Sequence, residues 1–234
     1  MASQEVLDKN YIIWNGFNTL ENDILIEQLQ IPPKAEEQKE LIAITGRNGY
    51  LTVDYDSYSG ITYEVQLNLR EREQVDVVKK NFKGSGELTL SCNPDVYYKA
   101  TITNMIEFER VMYQRRICVI TFELQPLAYV KNVGEQNIVL TTTINNIYNS
   151  KSYPYLRIYG NGYGNVYINN ETISFSQINE YIEVDCELEE CYKGIENCNK
   201  YMTGDFITLQ EGSNTISFDG KITKVVINPR WRTL

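Results

Sequence analysis

Near its carboxyl end the chain carries Val225-Val226-Ile227-Asn228-Pro229-Arg230-Trp231-Arg232, an apolar β-branched run followed by a turn and an aromatic residue between two cations. Similar short runs precede it through the second half of the chain, and Gly, Asn or Asp residues separate them. Runs bounded in this way are typical of β-strands. The pattern predicts eight strands and no helix, at 138–143, 155–159, 164–168, 172–175, 181–184, 206–209, 214–218 and 222–227. Strands at this spacing predict an antiparallel β-sandwich.

The first half also reads mainly as strands. Two turn signals stand out, Asn15-Gly16 and Gly46-Arg47-Asn48-Gly49, and Asn-Gly between strand-like runs is the strongest short-range hairpin signal. Because two prolines interrupt the segment 30–40, we expect an exposed and mobile connection there. The expected strands lie at 11–14, 23–29, 41–45, 50–55, 61–69, 87–91, 97–106 and 117–124.

One helix is expected, at 71–82. Val75, Val78 and Phe82 recur there at helical spacing, and a Gly-Ser-Gly stretch follows. By contrast, residues 61–69 alternate between apolar and polar side chains, which is the period of a half-buried strand.

A domain boundary is expected after Pro126, in the polar stretch 131–136 that contains Gly134. The sequence therefore predicts a mainly β protein of two domains. Residues 1–132 form a β-rich domain with one helix, and residues 133–234 form the antiparallel β-sandwich.

The composition excludes several classes of protein. Net charge is -9, and Lys79-Lys80 and Arg115-Arg116 are the only dense basic spots, so clustered cations for a phosphate backbone are missing. We expect no sequence-specific nucleic acid partner. No apolar run approaches the roughly 18 residues of a membrane span, and no export signal is recognisable. We expect no membrane partner and a chain that is made in the cytoplasm.

The chain has no histidine, which removes Ser-His-Asp and Cys-His catalysis in their usual forms. Its five cysteines are an odd number, so free thiols or small core residues are the expected state. Cys186, Cys191 and Cys198 crowd into an acidic segment, but zinc usually takes Cys-x-x-Cys pairs or histidine ligands. We therefore expect no metal site, no cofactor and no catalytic residue.

Two clusters keep alternatives open. The acidic run Glu180, Glu183, Asp185, Glu187, Glu189 and Glu190 fits a solvated strand edge, with a calcium loop or a glycosidase carboxylate pair as the alternatives. Four tyrosines recur through a neighbouring segment, at Tyr155, Tyr159, Tyr163 and Tyr167. They fit half-buried sheet residues, with stacking against a sugar as the alternative. Trp231 between its two arginines fits either a stacked terminal anchor or the cover of a core.

The order and spacing of several landmarks resemble the distal tail protein family of long-tailed bacteriophages over essentially the whole chain. In the first half the landmarks are Trp14-Asn15-Gly16, Gly46-Arg47-Asn48-Gly49, Tyr97-Tyr98-Lys99-Ala100 and the stretch 122–129, although the cysteine often found before the proline is replaced here by Leu124 or Gln125. In the second half they are Asn149, Tyr153-Pro154, Gly160-Asn161-Gly162, Gly204-Asp205-Phe206, Gly212-Ser213-Asn214-Thr215-Ile216 and Asn228-Pro229-Arg230.

The resemblance implies a structural hub at the tail tip or baseplate of the virion, assembled in the host cytoplasm. In that family the amino-terminal belt domain forms a hexameric ring, single or stacked in pairs, and a galectin-like sandwich projects from each subunit. The implied partners are the tail tube protein, the tape measure protein, a tail-tip or tail-associated protein and receptor-binding proteins, with DNA passing through the ring. The rival hypotheses are a module that binds a bacterial surface polysaccharide and a β-sandwich glycosidase.

Overall fold

The computed structural model describes residues 9–112 and 115–234. The chain divides into two compact units. Unit 1 comprises Met1–Ala128 together with Leu234, and unit 2 comprises Tyr129–Thr233.

Nearly all regular structure is β. Unit 1 holds β1 (Ile12–Trp14), β2 (Phe17–Asn18), β3 (Glu37–Ala43), β4 (Tyr50–Tyr58), β5 (Ile61–Leu69), helix α1 (Glu73–Asn81), β6 (Ser85–Leu90), β7 (Asn93–Ile102), β8 (Glu109–Met112) and most of β9 (Arg115–Val130). Unit 2 holds the end of β9, then β10 (Gln136–Ile138), β11 (Thr142–Asn146), β12 (Tyr155–Ile168), β13 (Glu171–Asp185), β14 (Glu190–Lys193), β15 (Glu196–Asn197), β16 (Met202–Thr203), β17 (Gly212–Phe218), β18 (Ile222–Asn228) and β19 (Arg232–Thr233). Single 3-10 turns lie at Leu20–Asn22 and Asn199–Tyr201.

The main sheet of unit 1 has the strand order β9-β7-β6-β1-β2, and β5 and β8 also pair with β9. Strand β5 has the predicted bounds, and its side chains alternate between buried and exposed from Ile61 to Leu67. Its inward residues pack around Trp14 and Phe122, whose rings lie 5.2 Å apart, so the alternation sets which face of the sheet covers the core.

The predicted helix is confirmed as α1. Val78 and Phe82 are buried in the core of unit 1, and Val75 packs against the same cluster. Gln74 at its start accepts hydrogen bonds from the backbone N–H groups of Arg70 and Glu71, which fixes the turn that enters the helix.

Strands β3 and β4 form a separate two-stranded ribbon that pairs with no other strand in the described chain. The predicted hairpin is therefore confirmed, but β3 begins at Glu37, inside the segment expected to be an irregular connection. The ribbon is longer than the apolar pattern suggested because its base pairs polar residues, such as Lys39 with Asp54.

Unit 2 is an antiparallel sandwich in which two long strands take part in both layers. One set of pairings has the strand order β10-β18-β12-β13-β14-β15, and in it the start of β12 pairs with the end of β13. The far end of β12 pairs instead with β17, which also pairs with β11. The start of β13 pairs with β16. The layers enclose one apolar core built on Leu156, Ile158, Val166 and Ile168 of β12. Strands that switch layers in this way commonly bend at bulges.

The glycines of β12 mark this bend. Pairing of β12 with β13 shifts register between Gly162 and Gly164, and its pairing with β18 shifts between Tyr159 and Gly160. A Cβ atom on Gly160 would lie 2.5 Å from the carbonyl oxygen of Lys221, so only glycine allows the strands to approach so closely there.

Several strand predictions were wrong. The glycines and polar turns of the sequence predicted short strands at 155–159, 164–168, 172–175 and 181–184, whereas β12 and β13 are each continuous, because bulges absorb the interruptions. The segments 23–29 and 206–209 form only single bridges, at Leu25 and Leu209. Strand β9 continues through Pro126 into unit 2, where Val130 donates a backbone hydrogen bond to the Trp231 carbonyl.

Candidate assembly surface and tyrosine face

The β3–β4 ribbon exposes apolar side chains on both of its faces. Ile42 pairs with Leu51 and Ala43 pairs with Tyr50, so successive pairs point to opposite sides. Large apolar side chains along the ribbon remain in solvent: Leu41, Ile42, Ile44, Tyr50, Leu51 and Tyr55. Because a lone two-stranded ribbon is at best marginally stable in water, this surface is incomplete without a cover.

Charge divides the ribbon into a base and a tip. The base holds Lys39 between Glu37 and Asp54, and the Tyr55 hydroxyl donates to Glu40 at 2.6 Å. The hydrogen bond to Glu40 is the largest cause that raises the pKa of Tyr55. The tip, residues 41–53, carries a single charged residue, Arg47. The tip is therefore an apolar, weakly cationic surface on an acidic protein.

The outward side of β12 in unit 2 carries a second candidate site, the tyrosine face, defined as Tyr155, Arg157, Tyr159, Tyr181 and Glu183 with the cations around them. Tyr155, Arg157 and Tyr159 alternate with the buried residues of β12, and β13 places Tyr181 opposite Tyr159 and Glu183 opposite Arg157. The rings of Tyr159 and Tyr181 lie 6.1 Å apart.

Cations cover these rings. Lys224 lies 4.4 Å from the centre of the Tyr159 ring, and Lys193 lies 4.9 Å from that of Tyr181. Arg157 also lies 5.8 Å from the Tyr181 ring. Such contacts stabilise the aromatic layer, and they occupy ring faces on which a sugar would stack.

Two carboxylates of the acidic run are buried. Glu183 is 6 % exposed and Asp185 is 3 % exposed. Glu183 accepts hydrogen bonds from Arg157 at 2.8 Å, from the Gly194 N–H at 3.0 Å and from the Tyr155 hydroxyl. Arg230 donates two parallel hydrogen bonds to Asp185, at 2.7 and 2.8 Å. The interpretation of the whole run as a solvated edge was therefore wrong for these two residues, whose partners are distant in sequence.

The same partners keep both carboxylates ionised. Burial alone raises the pKa of Glu183, but the hydrogen bonds from Tyr155, the Gly194 N–H and Arg157 outweigh it and hold the pKa below its ordinary value. Burial likewise raises the pKa of Asp185, and Arg230 with the Leu188 N–H more than reverses the effect. A glycosidase acid needs a raised pKa, so this pair is unsuited to that role.

The four tyrosines singled out in the sequence do not form one cluster. Tyr155 and Tyr159 lie on the part of β12 that pairs with β18, whereas Tyr167 lies on the part that pairs with β17. The Tyr167 hydroxyl donates to Asp219 at 2.8 Å. Tyr163 lies at the bend and is 63 % exposed. The structure thus divides the candidate sugar contacts between two layers.

Of the two roles that the sequence left open for Trp231, the structure shows the cover of a core. Trp231 is buried in the core of unit 2. Its neighbour Arg232 lies 4.4 Å from the Tyr153 ring and donates to the Lys151 carbonyl at 2.7 Å, while Arg230 holds Asp185. The basic residues therefore fasten the end of the chain while the indole fills the core.

The clustered cysteines are core residues, as expected. Cys186, Cys191 and Cys198 are free and buried in the apolar core of unit 2. Burial raises the pKa of Cys186 and of Cys191 to about 12, so these thiols stay protonated at neutral pH. Among the residues that the structure describes, no group of three or more Cys, Asp or Glu side chains is placed to hold a metal ion.

The described helix is too short and too polar to cross a membrane. Neither a family model nor a curated protein sequence matches the chain.

Comparison with solved structures finds a full-length likeness. The crystal structure of the Dit protein (gp 19.1) of phage SPP1 superposes with a TM-score of 0.76, and the match covers 96 % of this chain and 99 % of that one. This chain has the Dit fold. Sequence identity to SPP1 Dit is 13 %, so the likeness is one of architecture. The SPP1 protein is described as a paradigm of the hub adsorption apparatus in phages that infect Gram-positive bacteria.

Proposed function

We propose that this protein is a structural distal tail protein, a hub that forms a hexameric ring at the tip of a long phage tail. The observation that carries the proposal is the Dit fold over the whole chain, which includes both units and leaves almost no part of either protein unmatched. Fold alone does not fix function, so the proposal also needs surfaces that suit assembly.

The exposed ribbon supports this proposal. Its apolar side chains are in contact with water on both faces, and a second copy of the chain would remove them from solvent. Symmetric self-association is the commonest way in which a soluble protein covers such a surface, and identical subunits that join through two different patches close into rings. We therefore assign ring formation to residues 1–132.

The surface of the second unit fits a module that needs no partner. Its polar outward groups largely satisfy one another, through the contacts of Glu183, Asp185 and Asp219. A surface of this kind needs no partner to be stable. We propose that residues 133–234 form a galectin-like sandwich that takes no part in ring formation.

The proposed partners follow from the position of a hub. The ring would join the tail tube protein and the tape measure protein on one side to a tail-tip or tail-associated protein on the other, with receptor-binding proteins at the periphery. The net charge of -9 suits a channel that lets DNA pass without holding it. The role is structural, and no residue is assigned a catalytic step.

Native mass spectrometry and negative-stain imaging of the purified protein test the proposal. We expect hexamers or pairs of hexamers at micromolar concentration, seen as rings with a central channel. The same rings should be visible at the tail tip of particles that contain the protein. A chain that stays monomeric at every concentration and forms no ring in a particle would refute the hub.

Recognition of a bacterial surface polysaccharide is the second candidate. The observation in its favour is the row of tyrosines along β12, of which Tyr163 is the most exposed. Binding of host cell-wall polysaccharide, measured by calorimetry with wild type and with Tyr159→Ala and Tyr163→Ala, tests it. Equal heats of binding for all three proteins would exclude Tyr159 and Tyr163 from any sugar site.

A further inference from the structure

Unit 2 contains an open polar cleft beside the hairpin that β14 and β15 form. The cleft measures about 390 Å³, which is within the size range of small-molecule sites. Strand β13 forms one wall with Gln177, Asn179 and Tyr181, and the hairpin with the 3-10 turn that follows it forms the other. None of the four tyrosines singled out in the sequence belongs to these walls.

A bulge in β13 brings Gln177 to the cleft. Pairing of β13 with β12 is regular at Phe175 and again at Ile178, so Ser176 and Gln177 lie in the irregular stretch between them. Bulges commonly redirect a side chain next to a binding site. The Ser176 hydroxyl also donates to the Tyr201 carbonyl at 3.3 Å, which ties β13 to the opposite wall.

Lys193 fixes the hairpin against β13. Its ammonium donates to the Asn179 carbonyl at 2.8 Å and to Glu180 at 3.0 Å, and it lies 4.9 Å from the centre of the Tyr181 ring. Because these contacts hold the two walls together without a ligand, the cleft is preformed. A ligand that enters it therefore loses little affinity to ordering of the protein.

The polar side chains of the cleft are much less satisfied than those of the tyrosine face. Several of them make no hydrogen bond or ion pair to any other residue that the structure describes: Gln177, Asn179, Tyr181, Glu196 and Tyr201. Amides and phenols both donate and accept hydrogen bonds, whereas a carboxylate accepts only. The cleft therefore offers donors and acceptors side by side, and water is their partner in the free protein.

Apolar surface accompanies these polar groups. Ile195 at the turn of the hairpin is fully exposed, and the half-buried Tyr201 packs against the core of unit 2. A ligand that contacts both residues must carry an apolar side as well as hydrogen-bonding groups. Sugar rings have this character, because C–H groups cover their faces and each hydroxyl at the edge both donates and accepts.

Charge narrows the class of sugar. Glu196 contributes a carboxylate to the cleft, and Lys193, the cation among the lining residues, already pairs with Glu180. Lys200 lies 4.7 Å from the centre of the Tyr201 ring but does not line the cleft. A phosphate or a uronic acid would therefore meet a carboxylate without a free cation among the lining residues, whereas a neutral sugar would not be repelled.

We propose that this cleft binds a neutral or N-acetylated hexose of a bacterial surface glycan. We call it the hairpin cleft and define it by Gln177, Asn179, Lys193, Ile195, Glu196 and Tyr201. The inference rests on the second candidate function, recognition of a surface polysaccharide, and assigns that recognition to the wall of β13 instead of the tyrosines of β12. It does not depend on the ring.

Saturation-transfer NMR of the full chain tests the proposal. The probes are glucose, galactose, rhamnose and N-acetylglucosamine, and the signals of the free sugar report binding whatever the mass of the assembly. An array of bacterial surface glycans extends the probes to oligosaccharides. We expect saturation transfer to at least one of the four sugars, and none to glucuronic acid at the same concentration.

Two variants locate the site. Glu196→Gln removes the charge of the cleft and keeps the size of the side chain, and Gln177→Ala removes the amide. Both residues are exposed, so the variants should fold, and circular dichroism checks this. The matched control is Glu190→Gln, the same change at an exposed carboxylate of the same hairpin that does not line the cleft.

Each cleft variant should weaken binding of the responding sugar by about 5- to 10-fold, because a hydrogen bond to the ligand is lost. Glu190→Gln should bind as wild type does. Native mass spectrometry should give the same assembly for all four proteins, since none of the changes lies in unit 1.

Three outcomes overturn the inference. A wild-type protein that shows no saturation transfer from the four sugars and no signal on the array has no such site, while the hub still stands if rings form. Sugar binding that Tyr159→Ala abolishes and both cleft variants leave unchanged would keep the second candidate function but exclude the hairpin cleft. Binding of glucuronic acid that equals or exceeds that of glucose would contradict a site for neutral sugars.

Discussion

The ribbon of unit 1 and the tyrosine face of unit 2 differ in the kind of side chain that they leave without a partner in the protein. The ribbon leaves large apolar side chains in water on both of its sides, such as Leu41 on one side and Leu51 on the other. The tyrosine face presents charged and aromatic groups, but they pair with one another, as Glu183 does with Tyr155 and Arg157. The first surface gains free energy when another chain covers it, and the second has little to gain.

This difference shows that polarity alone is a poor guide to where a protein binds its partners. The rich chemistry of the tyrosine face makes it look like a site, yet its groups are internally satisfied. The ribbon has simpler chemistry, but its large apolar side chains remain exposed to water. We therefore expect changes in the ribbon to alter assembly without altering stability, and changes in the tyrosine face to do the reverse.

The largest effect is expected from Leu41→Asp combined with Tyr50→Asp. Both side chains are more than half exposed in the free chain and they are not paired directly across the ribbon, so the free energy of unfolding should change by less than about 1 kcal/mol. Rings should be lost over at least about a 100-fold range of concentration, because two charges would have to be buried at the contact. Analytical ultracentrifugation and thermal unfolding measure the two quantities. A large loss of stability with assembly intact would reverse our assignment of the ribbon.

Arg230→Met should have the opposite profile. It removes the partner that donates two hydrogen bonds to buried Asp185. We expect a loss of about 2–4 kcal/mol in the stability of unit 2, because the carboxylate stays buried without its countercharge. Hydrogen exchange of β12 and β13 amides locates the effect, and Lys221→Met, which changes an exposed lysine of unit 2, is the control. Equal exchange rates in the two variants would contradict the assigned role of Arg230.

Acid should weaken unit 2 through the same groups. The pKa values of Glu183 and Asp185 in the folded chain lie below their ordinary values of 4.5 and 3.8. Their stabilisation is therefore complete above those ordinary values and is lost as the pH falls through them toward the folded pKa values. Unfolding free energy of unit 2, followed by exchange between pH 6 and pH 3, should fall in that window (about pH 4.5 downward). Arg230→Met should flatten the slope, and an unchanged slope would count against Asp185 as its source.

Tyr163→Ser should have the smallest effect. Tyr163 is 63 % exposed at the bend of β12 and packs into neither layer as a core residue. We expect stability within about 0.5 kcal/mol of wild type and rings of normal mass. If this variant assembles but no longer adsorbs to cells, the second unit contacts the host and the polysaccharide hypothesis gains over the purely structural one.

Local pattern was sufficient for much of the fold. The alternation of residues 61–69 predicted β5 with its bounds, and the spacing of Val75, Val78 and Phe82 predicted α1. The Asn-Gly turn predicted the ribbon. Each of these signals lies within a single strand, helix or turn, so recognising it requires no knowledge of contacts with distant residues. The glycines around Asn161 were interpreted as turns that end one strand and precede the next. Whether such glycines end a strand or bend it depends on its pairing with β17 and β18, which lie much later in the chain.

What the sequence by itself determined is the β architecture, helix α1, the place of the hairpin and the absence of an imidazole for catalysis. Only the tertiary structure decided which charges are buried and which apolar residues are left in water. Glu183 and Glu180 are chemically alike and adjacent in the same run, yet only Glu183 is buried, because strand pairing brings Arg157 and Tyr155 to it. Likewise, Leu41 and Leu67 both occupy strands, but only the strand of Leu67 lies on a core. Burial and charge pairing depend on which residues are neighbours in space. Those neighbours are tens of residues apart in the sequence, so no local sequence pattern reveals these contacts.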